Sequence, residues 1–297
     1  MTILLAGGTG LVGTPLAEML ALRGHHVRIL TRSPKADNQF RWNPAEGYLD
    51  PAALEGVEAV INLAGAGIAD KRWTPARKRE LIDSRVESNQ TLLKAFSGMA
   101  KKPHTFVSAS AIGYYGNSGE KEMHEADRPV DQSFMVQCCE AWENSALNIA
   151  AAGVRTAILR IGVVLSPKGG ALKEFIKPMR FGLGAYFGNG SAWYSWIHLE
   201  DMCRALVWAV ENNQVEGVYN AVAPNPVRNR LLAQKTANIF GLTPIVVPAP
   251  EFALRLALGE MSAVVLNSNK VSAAKIKAAG FTFKFPEIEG ALRSFKA

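Results

Sequence analysis

The sequence predicts an α/β fold: a doubly wound parallel sheet followed by a smaller, mostly helical C-terminal region. Three observations predict it. Over the first 165 residues, short apolar runs alternate with helical patterns. Those runs are continuously apolar rather than alternating, as strands covered on both faces should be. The first run passes into a helix through a glycine-rich joint, "AGGTGLVG", Ala6 to Gly13. Strand–helix alternation of this kind means parallel pairing through right-handed crossovers.

The elements follow in order. Strands are expected at "TILLA", "HHVRILT", "EAVINLAG", "HTFVSAS" and "VRTAILRIGVVL". Helices are expected at 11–23, 74–97 and 133–151, with Gly24 and Gly153 where helix C-caps belong. The polar stretch from Ser33 to Pro51 is poorly patterned and carries no assigned element. After residue 165 strands become few: "WYSWIH", "GVYNAV" and "TPIVVPA". Helical stretches dominate near 170–181, 200–212, 229–240, 250–259, 272–279 and 286–296, and prolines cluster at Pro224, Pro226, Pro244, Pro248 and Pro250. The expected division is a nucleotide-binding domain over 1–165 and a substrate-binding region over 166–297, with strands of the latter free to return to the main sheet.

Composition bounds the function. With 297 residues, 48% hydrophobic and 20% charged, the chain suits one large or two modest globular domains. No apolar run reaches the roughly 18 residues of a membrane-spanning helix, and the N-terminus lacks a signal-peptide pattern. A membrane partner is not expected. Cys138, Cys139 and Cys203 make neither a disulfide framework nor a CxxC metal site. A cytoplasmic setting fits, and no metal is expected. The net charge of +7 is spread along the chain. It reads as a solvated basic surface or as a preference for anionic ligands. No nucleic-acid motif or basic stripe is present, so nucleic-acid binding is not expected.

The glycine joint has a physical reading. Gly7 allows a tight turn. Gly8 or Gly10 lets backbone approach a diphosphate with no side chain between, and Gly13 lets the helix pack close to the strand. Free N–H groups and the helix dipole then face the phosphates. Gly7, Thr9, Gly10, Leu11, Val12 and Gly13 are the expected cofactor-facing residues of this joint. It follows a strand, opens a helix and starts a βαβ unit, the context that turns a glycine-rich turn into a dinucleotide site. A site for NAD wants an acid roughly 20 residues past the glycines. The sequence instead has Thr31-Arg32-Ser33, with no acid until Asp37. A planar guanidinium between two hydroxyls suits the 2′-phosphate of NADP. The expected fold is therefore Rossmann-like and the expected cofactor NADP.

Further stretches carry a family resemblance. "INLAG", Ile61 to Gly65, resembles the strand-four motif of extended short-chain dehydrogenases/reductases, the group containing nucleoside-diphosphate-sugar epimerases. "FVSASAIGYYG", Phe106 to Gly116, resembles their strand-five motif, with Ser110 at the catalytic-serine position. "WIHLEDMCRA" and "GVYNAVAP" resemble later segments of the same enzymes. The tail from Leu254 to Leu292 resembles a subgroup called the epimerase family, or, misleadingly, cell-division-inhibitor-like proteins. The resemblance covers essentially the whole chain. It implies NADP contacts at Thr31, Arg32, Leu63, Ala64, Gly65, Glu80, Arg85 and Val163, beside Ser33. Arg85 also reads as part of a solvated, highly charged helix face, and Asn62 as fixing either a ribose or a turn.

The expected acid–base pair is missing. The resembling dehydrogenases use a tyrosine and a lysine four residues apart, which share one helix face. Aligned on Glu143, those positions fall on Met135 and Cys139. Methionine has no proton to give, and a neutral thiol supplies no cationic field. Ser110, with Tyr114 or Tyr115, is the candidate catalytic set. Both tyrosines also read as strand-end packing, and Cys139 as a buried structural thiol. Further on, "GNGSAWYSWIHLED" gathers aromatics where the resembling enzymes bind substrate, which makes Trp196 and His198 the candidate substrate residues. The competing reading buries both in a strand, with Asp201 near a helix start. The expected function is an NADP(H)-binding epimerase- or oxidoreductase-like protein with an unidentified small substrate, nucleotide-linked or not. The alternative is a non-catalytic NADPH-sensing or partner-binding module. A homo-oligomer is left open.

Overall fold

The computed structural model describes residues 1–179, 181–240 and 245–296. The first half supplies β1 (Thr2–Ala6), α1 (Gly13–Leu22), β2 (His26–Thr31), β3 (Gln39–Asn43), β4 (Tyr48–Leu49), β5 (Ala59–Asn62) and α2 (Pro75–Ser97). It continues through β6 (Thr105–Ala111), β7 (Glu122–Met123), α3 (Phe134–Ala151), β8 (Arg155–Ile161) and β9 (Val163–Leu165). The second half holds α4 (Gly170–Met179), β10 (Leu183–Phe187), β11 (Trp193–Tyr194), β12 (Trp196–His198), α5 (Leu199–Glu211) and β13 (Gly217–Ala221). It ends with β14 (Val227–Arg228), α6 (Asn229–Ile239), β15 (Ile245–Ala249), α7 (Glu251–Leu258), α8 (Ala263–Leu266), β16 (Lys270–Val271), α9 (Ala274–Ala278) and α10 (Ile288–Ser294).

Eight strands form the main sheet in the order β13-β8-β6-β5-β1-β2-β3-β4. Every pairing is parallel except the edge pair β3–β4. This is a Rossmann-like, doubly wound sheet. Chain order reverses beside β1, whose neighbours are β2 and β5, and ligands of such sheets bind outside the carboxyl ends of the strands at that switch point.

The continuous apolar runs explain the layering. In β1, Ile3 and Leu5 pack in one core with Leu16 and Leu20 of α1 and Leu206 of α5. Leu4 and Ala6 face the other core, with Leu92 and Phe96 of α2 and Ala146 and Ile149 of α3. Each fully buried leucine or isoleucine contributes about 1.5–3 kcal/mol relative to exposure, so both faces of the strand are held in register. Gly24 and Gly153 end α1 and α3 with φ of +79° and +85°, as their cap positions require.

The structure redraws three of the expected stretches. The stretch from Ser33 to Pro51 contains β3 and β4: Trp42 is buried and Phe40 packs beside it, so alternation at a sheet edge replaces the continuous apolar signal. The run "VRTAILRIGVVL" breaks at Gly162 into β8 and β9. A side chain there would lie 2.6 Å from the carbonyl of Ser195. The run "WYSWIH" also splits: β11 pairs with β14 and β12 with β9, around a buried Ser195. The strand "GVYNAV" becomes β13 and joins the main sheet beside β8. Of "TPIVVPA", Thr243 and Pro244 lie outside the described residues, and the rest forms β15, parallel to β10. No helix among the described residues is long and apolar enough to cross a membrane.

Candidate cofactor crevice and reaction end

The glycine joint builds a corner at the carboxyl end of β1. Gly7 has φ of +79°, and the Gly10 N–H closes the turn on its carbonyl at 3.1 Å. A Cβ on Gly7 would come within 2.8 Å of the Leu63 carbonyl carbon, and one on Gly13 would overlap the Gly7 carbonyl oxygen. Gly8 is buried against Ile29, whereas Gly10 is exposed with only Gly7 O nearby. Of the two glycines open to a backbone-approach role, Gly10 is therefore the bare one, and Gly8 serves packing. Helix α1 begins at Gly13, two residues later than expected, and Val12 caps it without a side-chain acceptor. The Thr14 and Leu16 N–H groups bond back to Gly10 O and Val12 O, so the N–H groups of Leu11, Val12 and Gly13, with no capping side chain, are the ones left at this corner. Thr9 is exposed on the turn. Leu11 reaches across to the backbone at Gly169.

The neighbouring loop is held from below. Asn62 is fully buried; its amide donates to Ser88 Oγ at 2.9 Å and to Asn89 Oδ1 at 2.7 Å. Its carbonyl oxygen accepts the Ala64 N–H at 3.0 Å. Asn62 therefore fixes the turn, leaving Leu63, Ala64 and Gly65 as the crevice wall. Arg85 of α2 lies against Gly65: a Cβ there would sit 3.1 Å from Arg85 Cγ. Its Nη1 donates to Leu81 O at 2.7 Å, and its guanidinium stacks 4.8 Å from the Trp142 ring centroid. Arg85 thus stands beside the crevice rather than on a free helix face.

At the end of β2, Arg32 is exposed and among the described residues forms no ion pair. The Ser33 N–H donates to Thr31 Oγ1 at 3.3 Å, which rounds the strand end. Glu80 is bound to the buried Arg77 at 2.8 Å. That bond, and the nearby charges of Lys71 and Arg32, hold the Glu80 carboxyl below its usual range. Arg32 and Glu80 thus share one rim. Val163 opens β9 and donates its N–H to Ser195 O at 2.9 Å.

The surroundings of Ser110 are different in kind. Ser110 is almost fully buried and donates to Glu143 Oε1 at 2.6 Å. Glu143 is clamped by Arg160, Nε to Oε1 and Nη2 to Oε2, both at 2.8 Å. Arg160 Nη1 donates to the Tyr115 hydroxyl at 3.0 Å, and that hydroxyl donates to Asn220 Oδ1 at 2.7 Å. Tyr115 is fully buried, and burial pushes its phenol up to about 12. Ser110 and Tyr115, expected as catalytic groups, are thus bound into a closed buried network. Tyr114 is half-buried, with the Arg160 guanidinium 3.4 Å from its ring centroid. It is the phenol of the pair that reaches solvent. Met135 and Cys139 lie against Gly113, and burial raises the Cys139 thiol well above its usual value.

Periodicity does not reveal the Glu143–Arg160 pair, but the sequence carries a signal for it: an arginine inside an apolar strand, "AILRIGVV", demands a buried anion.

Trp196 and His198, expected at the substrate, are committed to packing. Trp196 is fully buried, and its Nε1 donates to Asn225 O at 3.0 Å. His198 is buried between Phe285 and Phe295, with centroids at 3.9 and 4.5 Å. Its Nδ1 accepts the Glu200 N–H at 3.0 Å, capping α5, which puts the neutral ring's proton on Nε2 facing Ser294 Oγ at 3.1 Å. Burial lowers its pKa to about 4. Asp201 is fully buried near the same helix start, accepting the N–H groups of Lys284 and Phe285.

Comparison with known proteins agrees with this architecture. Residues 3–221 match the NAD dependent epimerase/dehydratase family, and residues 249–295 match a domain of unknown function. An epimerase family protein of Bacillus subtilis is 36% identical over 98% of this chain and 97% of its own. The human epimerase family protein SDR39U1, crystallised with NADPH, superposes with a TM-score of 0.90 at 32% identity over 99% of both chains. A nucleoside-diphosphate sugar epimerase of Corynebacterium glutamicum gives a TM-score of 0.80 at 29% identity, over 98% of this chain and 57% of that one. With its switch-point crevice, its glycine corner and these relatives along its whole length, the chain belongs to the NAD dependent epimerase/dehydratase family.

Proposed function

We propose that this protein binds NADP(H) in the crevice beyond β1 and β5 and acts as an epimerase- or oxidoreductase-like enzyme on a small molecule. The observation that carries the reading is the bare Gly10–Gly13 corner with exposed Arg32 at the end of β2. The residues fit the group. Backbone N–H groups from Leu11 to Gly13 would meet the diphosphate, and the bare Cα of Gly10 would let it approach. Arg32, flanked by Thr31 and Ser33, would pair with the 2′-phosphate. Leu63, Ala64 and Gly65 would line the adenosine side, with Arg85 and Glu80 along α2 and Val163 toward the nicotinamide. The human relative bound to NADPH supports the choice of cofactor. When bound, the cofactor supplies hydride transfer. The chain's own part would be orientation, and Tyr114, the half-exposed phenol, would give or take the proton. The substrate, nucleotide-linked or not, would lie between the sheet and the C-terminal region.

Calorimetry with NADPH and NADH tests the reading. NADPH should bind more tightly, and Arg32→Ala should weaken it about ten- to a hundredfold while leaving NADH unchanged, since a hydrogen bond to a charged group contributes about 1.5–3 kcal/mol. Equal binding of both cofactors, or indifference to Arg32→Ala, would overturn it.

A second reading is favoured by one observation: Ser110 and Tyr115 are locked in the buried network while Met135 and Cys139 carry no acid–base chemistry. On it the protein binds NADPH as a sensing module without turnover. NADPH oxidation with sugar nucleotides, quinones and aldehydes separates the two, because sustained turnover with any of them removes the second.

A further inference from the structure

Residues 250–262 cross from the C-terminal region to the wall of the crevice. The segment is anchored at both ends. On one side β15 pairs with β10, and the Gly188 N–H donates to Ala249 O at 2.9 Å. On the other, the Tyr194 hydroxyl donates to Val265 O at 2.6 Å, while Ser268 accepts the Trp193 N–H and donates its own N–H to Asn117 Oδ1 at 2.8 Å. Between these anchors α7 buries none of its residues, and Phe252 and Leu256 are 75% and 78% exposed. A helix without buried apolar contacts has little local stability of its own. Polar ties hold the middle of the segment to the opposite wall. Arg72 Nη2 donates to Leu256 O at 3.3 Å, and Lys78 pairs with Glu260. Gly259, with φ of +60°, lies against the Arg72 side chain, where a Cβ would come within 3.1 Å of Nε. Arg72 belongs to the loop between Gly65 and α2, and Lys78 to the first turns of α2, the helix that carries Glu80 and Arg85.

We propose that residues 250–262 form a strap across the crevice, latched by Arg72 and by the Lys78–Glu260 pair and hinged near Pro250 and the buried Ser262, whose opening controls exchange of the bound nucleotide. This rests on the cofactor reading above. A segment anchored at both ends, with no fully buried residue in its helix and with polar ties to the opposite wall, has the geometry of a gate.

Two measurements test it. The first is hydrogen exchange. The amides of 251–258 should exchange far faster than those of α5, and joining a Lys78→Cys/Glu260→Cys pair with a short bis-methanethiosulfonate cross-linker, which spans the reach of the two native side chains, should slow them. The three native cysteines are buried, so the new pair should react selectively. The second is stopped-flow release of NADPH. The cross-link should slow release at least about tenfold, reversibly with reductant, as expected of a lid that must open. Glu260→Ala should speed it about two- to fivefold, the range of an exposed ion pair. The charge swap Lys78→Glu/Glu260→Lys should restore the parent rate. If 251–258 exchanges as slowly as α5, or release ignores the cross-link, the strap is wrong. Absence of NADPH binding to the parent protein would instead sink the cofactor reading, with hydrogen exchange still deciding whether the segment moves.

Discussion

The two halves of the crevice are built by opposite means. The nucleotide half is backbone: a turn at Gly7, a bare Gly10, a close contact at Gly13 and a helix start at Val12 with no capping side chain. The proposed reaction half is side chain: Ser110, Glu143, Arg160, Tyr115 and Asn220 joined in one buried chain of hydrogen bonds. Polar groups in the first half are open to a ligand. In the second they are consumed by each other. A family can therefore keep its cofactor corner while the positions that do acid–base work elsewhere become Met135 and Cys139. Serines and tyrosines left nearby need not be catalytic, because a buried ion pair requires partners of its own.

The largest effect that could break this comparison comes from Arg160. Arg160→Met leaves the Glu143 carboxylate buried and uncompensated, which costs about 3–5 kcal/mol. The double variant Glu143→Leu/Arg160→Met should recover much of that loss, since an apolar pair of similar volume needs no desolvation. Urea unfolding of both variants measures it. If Arg160→Met unfolds at the parent midpoint, the network does not hold the reaction half together.

The same contrast explains what the sequence revealed. The nucleotide half is specified by contiguous residues, so "AGGTGLVG" and "LTRS" carry their meaning locally, and the parallel order of the first strands follows from the same apolar runs. The reaction half depends on pairs far apart in the chain, such as Tyr115 with Asn220. Periodicity contains no term for such contacts. The splits at Gly162 and Ser195 were hidden for a related reason. Both sit inside apolar runs, and only the crossing of two backbones separates the strands there. His198 illustrates the ambiguity of a motif: "WIHLED" resembles a substrate segment, yet the histidine's role is set by Phe285 and Phe295, about ninety residues away along the chain.

That role gives the next prediction, smaller and dependent on pH. The folded-state pKa of His198 is about 4, because burial disfavours the charged ring, and the charges of Asp201 and Glu200 only partly offset it. The unfolded value is near 6.5. Between these values the unfolded chain binds the extra proton, so its contribution to stability is fully present above about pH 6.5 and is lost as pH falls through the folded value. By pH 5 the loss is at most about 2 kcal/mol. His198→Asn keeps a capping acceptor for α5 and removes the titration. Denaturant unfolding at pH 7 and pH 5 should show a steeper decline for the parent than for the variant. Parallel declines would mean that His198 is not held neutral by its packing.

The smallest effect sharpens the comparison most, because it separates chemistry from support at one atom. Ser110 sits at the catalytic-serine position implied by family resemblance, but its hydroxyl donates into Glu143 and is almost fully buried. Ser110→Ala removes one hydrogen bond to a carboxylate that keeps both of its bonds from Arg160. The expected cost is about 1.5 kcal/mol of stability, with no change in NADPH affinity. A catalytic serine would behave in the reverse way: stability near the parent's and turnover reduced by orders of magnitude. Measured together with Tyr114→Phe, the outcome assigns the proton. If Tyr114→Phe abolishes turnover while Ser110→Ala lowers only the unfolding midpoint, the half-exposed phenol does the chemistry and the serine belongs to the frame beneath it. If the pattern inverts, the buried network must open during the reaction, and the contrast between the two halves of the crevice fails.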